Sequence, residues 1–134
     1  MIVIVCIDDN LGMMFNNRRQ SRDINLIQKV IEIAKGSRIW VNKFSYPLFE
    51  TVNATVIVDE AFLSTTPNGE FCFVEDKELK SYETRIEKLI VFRWNRHYPA
   101  DKKLDIDLST WNLKESADFA GNSHKNITME VYEK

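Results

Sequence analysis

The sequence predicts a single α/β domain with a mostly parallel central sheet, crossover helices and a C-terminal antiparallel hairpin. Three observations carry that prediction. The run IVIVCI at 2–7 is continuously apolar and β-branched, the pattern of a strand buried on both faces, as in parallel sheets. An amphipathic helical repeat and then a second strand pattern follow it, so the chain reads strand–helix–strand, a right-handed crossover. Near the end, residues 111–120 and 127–132 alternate apolar with polar side chains around Gly121-Asn122-Ser123, as a hairpin does.

Each element can be justified in turn. Asp8-Asp9-Asn10 end the first strand, and a polar loop is expected from there to about Arg22. Ile24, Ile27, Ile31 and Ala34 recur at helical spacing, with Leu26, Val30 and Ile33 widening the stripe. Ser21 is the expected N-cap, Asp23 is expected in the first turn, and Gly36 closes the helix. SRIWVN at 37–42 is the second strand, and Pro47 suits the first turn of a short helix around Phe44–Glu50. Ala54–Asp59 is a third strand, followed by a loop over 61–69 that ends in the turn Thr66-Pro67-Asn68-Gly69. A short strand at Glu70–Val74, a polar helix at Asp76–Thr84 and a buried strand at Lys88–Trp94 come next. From Asn95 to about Leu108 there is no periodicity.

Composition narrows the function. The 134 residues show no linker, repeat or low-complexity stretch, so one domain over 1–134 is expected. With 44% hydrophobic and 28% charged residues the chain is foldable, not disordered. A net charge of −2 argues against nucleic acid as the main partner, leaving a local basic patch as its one route. The N-terminal apolar run is too short for a signal peptide or a span of ~20 residues, which points to the cytoplasm and away from membranes. Cys6 and Cys72 lie in apolar runs and read as buried, reduced thiols. No metal site is expected, because Asp8-Asp9, the cysteines, His97 and His124 form no ligand pattern; both histidines read as surface residues. No serine sits in a nucleophile elbow, and four glycines make no phosphate loop.

The order of elements resembles that of dihydrofolate reductase, and local motifs agree. IVIVCI precedes Asp9, Asn10, Gly12 and Asn16, matching the family's strand and mobile-loop opening, and Asp23 stands at the helix start. Asn42-Lys43-Phe44-Ser45 occupies the place of the family's G-[RK]-x-[TS], Lys88–Trp94 resembles its next long strand, and WNLKES…ITMEVYEK its final pair. The departures bear on activity. Asn42 and Val74-Glu75-Asp76 stand where the resemblance places glycines that let backbone approach a dinucleotide. Arg18-Arg19-Gln20 replaces the mobile loop's Pro-Trp, Phe92 a threonine, and Val52-Asn53 an arginine for the folate tail. The resemblance therefore implies the reductase architecture without NADPH or any other cofactor.

The candidate site follows from both readings. In the resembled family the carboxylate matching Asp23 pairs with the amidine-like edge of a planar heterocycle; the plainer role is a helix-dipole partner. Asn16, Asn17, Arg18, Arg19 and Arg22 supply guanidinium forks and amides suited to a phosphate-bearing ligand, with Lys43 and Ser45 nearby by resemblance. Three functions are compatible with these residues. The first is a small-molecule binding or regulatory protein. The second is an enzyme on a nucleotide-like or heterocyclic substrate, with Asp23 as acid/base. The third is an RNA- or protein-interaction module built on the Arg18/Arg19/Arg22 loop.

Overall fold

The computed structural model describes Met1 to Lys134. Its elements in chain order are β1 (Ile2–Ile7), β2 (Gly12–Phe15), β3 (Arg18–Arg19), α1 (Ile24–Ile33), β4 (Arg38–Val41), β5 (Thr55–Val58), α2 (Phe62–Thr65), β6 (Phe71–Phe73), β7 (Lys88–Arg93), β8 (Lys102–Lys103), β9 (Asn112–Phe119) and β10 (Ile127–Glu133). Because β1 is apolar at every position, it takes the centre of the sheet. Strands run β5-β4-β6-β1-β7-β10-β9, parallel from β5 to β7 and antiparallel across β10 and β9. The crossover through α1 thus skips a position, and β6 fills the gap between β1 and β4.

Alternation along β1 feeds two cores. Val3, Val5 and Ile7 pack on one face with Leu89 and Val91, whereas Ile4 packs on the other with Leu26, Ile27 and Val30 of α1. Cys72 is buried and Cys6 half-buried; burial pushes the Cys72 thiol up to about 12, so it is no nucleophile.

Several local expectations are corrected. The stretch expected as loop from Asp8 to Arg22 contains β2 and β3, joined by Asn16 and Asn17 at φ 51° and 59°, a two-residue I′-type turn. With β8 they form a separate three-stranded sheet. The N-cap of α1 is Asp23, not Ser21, and Ala34 is its C-cap. Ile24 is 61% exposed, so the buried stripe is Leu26, Ile27, Val30 and Ala34, with Ile31 only half-buried. The helices expected around 44–50 and 76–84 are short 3-10 turns at Tyr46–Leu48 and Lys80–Arg85, and the expected loop at 61–69 contains α2. β9 forms the sheet edge and is exposed along nearly its whole length. No helix is long and apolar enough to cross a membrane.

Candidate functional site

The site begins with a helix end. The backbone of Asp23 is extended, at φ −152°, which aims its side chain at the open amides of the first turn of α1. Its Oδ1 accepts from Asn25 N at 2.9 Å and Leu26 N at 3.4 Å. The turn before β10 closes on the same carboxylate. Asn122 N donates to Oδ1 at 2.9 Å; Ser123 N, Ser123 Oγ and His124 N donate to Oδ2 at 2.8, 3.1 and 3.2 Å. His124 Nδ1 adds a further contact to Oδ2 at 3.0 Å. Burial works against the charge on Asp23, but the donors from Asn122, His124, Ser123 and Asn25 outweigh it and hold the carboxyl well below the usual range. The oxygens of Asp23 are thus occupied within the chain.

This approach needs Gly121. A Cβ there would lie 2.7 Å from Asp23 Oδ2 and 2.6 Å from the His124 carbonyl oxygen, too close for any side chain. His124, expected at the surface, is 4% exposed. Its ring stacks on Trp94, with centroids 4.5 Å apart and planes inclined by 27°. With Nδ1 donating to Asp23, Nε2 is the acceptor, and the hydroxyls of Ser21 and Tyr98 both stand 3.0 Å from it. Asp23, His124 and Ser21 are therefore in line, joined by two hydrogen bonds. His97 does lie at the surface, beside the Asn10 amide. No sequence pattern marked His124, because Ser21 and Asp23 lie about a hundred residues from it.

The residues read as one site from the sequence fall into three places. Arg22 and Asp23 border a cleft of about 560 Å³ between α1 and the Pro47–Val52 segment, with Ile24, Ile27, Leu48 and Val52 along its walls. Asn16, Arg18 and Arg19 border a separate hollow with Phe15, Gln20 and Tyr98, while Asn17 sits exposed at the hairpin tip. Arg22 joins the internal network through its carbonyl, which accepts from Ser123 Oγ, and its exposed guanidinium faces no carboxylate. Arg19 is turned inward: Nε and Nη2 clasp the Glu75 carboxylate at 2.8 and 3.1 Å, and the guanidinium lies over Phe44. Ser45 Oγ donates to the same carboxylate at 2.7 Å, and the Lys43 amide donates to Glu60. Asn42 Nδ2 donates to Asp76 at 2.9 Å and its Oδ1 accepts from Ser45 N.

No family model matches the sequence, and none of the curated proteins matches it. Solved structures do. The dihydrofolate reductase of Enterococcus faecalis, solved with NADP(H) and RAB-propyl, superposes over 98% of this chain and 94% of its own, at a TM-score of 0.68 and 9% identity. The fold is that of dihydrofolate reductase. The reductase resemblance seen in the order of elements therefore holds for the architecture. Near each other, Glu75 and Asp76 supply two carboxylates, one paired with the guanidinium of Arg19 and the other bonded to the Asn42 amide. No group of three or more His, Cys, Asp or Glu side chains is placed to hold a metal.

Proposed function

We propose that this chain is a small-molecule binding protein on the reductase fold, working without a redox cofactor, and that its ligand lies in the cleft beside Asp23. One observation carries the reading. The cleft of about 560 Å³ has the size of a ligand site, with Ile24, Ile27, Leu48 and Val52 giving it an apolar part and Arg22 among its lining residues. A flat apolar body bearing a carboxylate or phosphate suits that combination, the body on the aliphatic walls and the anion on Arg22. Ile24 supports it too, since a 61% exposed isoleucine in the first turn of a helix gains by being covered. The Asp23 carboxylate, already bonded, shapes the cleft without contacting the ligand.

The test is a thermal-shift panel of aryl phosphates and aryl carboxylates. At a hundredfold excess over the dissociation constant, a true ligand stabilises by about 2.7 kcal/mol, on the order of 4 °C for a domain of this size. The shift should vanish in Arg22→Gln, whose unliganded melting temperature should match wild type. A panel that shifts nothing, or a shift that survives Arg22→Gln, rejects the cleft as an anion site. Millimolar NADPH should leave the melting temperature unchanged; a rise of several degrees would mean that the Asn42–Glu75–Asp76 network opens to admit a dinucleotide.

A further inference from the structure

We infer that Ser21 is an activated nucleophile, with His124 as its general base and Asp23 as the residue that positions the base, and that the site cleaves carboxylic esters. The inference is independent of the cleft ligand proposed above. Its ground is the geometry of a Ser–His–Asp relay: Ser21 Oγ to His124 Nε2 at 3.0 Å, His124 Nδ1 to Asp23 Oδ2 at 3.0 Å. Each partner is held. Three backbone amides beside the histidine fix the carboxylate, and Trp94 fixes the plane of the imidazole. A carboxylate on Nδ1 selects the tautomer that leaves the Nε2 lone pair facing the serine hydroxyl. Such an arrangement recurs on unrelated folds and is recognised by geometry, not by sequence position.

Ser21 is only half-buried, so it is open to reagents, whereas the base and its carboxylate are sealed from water. The void it borders, of about 10 Å³ between Cys6, Met13, Arg19, Glu75 and Trp94, is too small for an acyl group, so an ester must approach from the open side of Ser21. In the reaction, Ser21 Oγ attacks the ester carbonyl carbon while its proton passes to His124 Nε2. The bond to the alkoxide oxygen then breaks, and that oxygen leaves as the alcohol with the same proton. Water attacks the acyl-serine, gives a proton to His124, and releases the acid as that proton returns to Ser21 Oγ. Ester and water become acid and alcohol, with no other reactant.

The experiment treats the full chain with an alkyl fluorophosphonate and, separately, with p-nitrophenyl acetate. A single adduct should map to Ser21 and be absent in Ser21→Ala, and nitrophenol release should show a burst of about one equivalent. His124→Gln should slow labelling by about a hundredfold or more. Nitrogen-15 spectra of the histidines should show His124 as the Nδ1–H tautomer, the form whose Nε2 can take the serine proton. An adduct elsewhere or none in folded wild type overturns the inference. So does labelling that is unchanged in folded His124→Gln, or an Nε2–H tautomer. Should His124→Gln fail to fold, the wild-type adduct, Ser21→Ala and the tautomer still decide.

Discussion

Gly121 and Asp23 are adjacent because one of them lacks a side chain. Adding a methyl at Gly121 forces the His124 carbonyl and the Asp23 carboxylate apart, since both would lie within 2.7 Å of it. Gly121→Ala should therefore lower stability by about 2–3 kcal/mol and expose His124 to solvent, read by urea unfolding and histidine NMR. Asp23→Asn keeps the shape but turns one acceptor into a donor that faces amides, at a cost of about 3 kcal/mol. The pH dependence has a definite sign. The folded carboxyl titrates below its unfolded value of about 3.9, so its contribution is complete above that value and is lost as pH falls toward the folded pKa. The stability gap between wild type and Asp23→Asn should be widest at neutral pH and narrow on acidification below about pH 4. A gap that stays constant from pH 7 to pH 3 would show that the carboxylate charge is not its source.

At the scale of elements, α1 shows what a periodic pattern does and does not determine. Ile24, Leu26, Ile27, Val30, Ile31, Ile33 and Ala34 leave no doubt of a helix, yet they are too many for one face to bury. The pattern fixes the period but not the phase, and packing against β1 and β4 chose Leu26, Ile27 and Val30. Leu26→Ala should thus cost about 2–5 kcal/mol, and Ile24→Ala should stay within about 0.5 kcal/mol. Equal losses in chemical denaturation would contradict the observed phase. The segment from Asp8 to Arg22 escaped reading for a different reason. β3 has two residues and β2 four, too few for alternation to show, although two consecutive asparagines are a fair signal for the turn between them. Its anchor is part local and part tertiary: the buried Asp8 carboxylate takes the amides of nearby Asn10 and Gly12 and of distant Tyr98.

For the whole molecule, the order of elements was enough to reach the fold, because each strand along the parallel run is signed by its own apolar stretch. The cluster at Asp23 was not legible, because the contact of His124 with it spans 101 positions and no local pattern encodes it. That span has a kinetic meaning. A contact that closes so long a loop brings its enthalpy only after the chain has already paid most of its ordering entropy, so it belongs late on the folding path. Asp23→Asn should accordingly have a φ-value near zero: the refolding arm of its chevron overlays wild type, and the unfolding arm rises by nearly the full change in stability. A slowed refolding arm would place the clasp in the folding nucleus instead. On the first outcome, the joining of α1 to the turn before β10 sets the lifetime of the native state and leaves the speed of reaching it to the sheet.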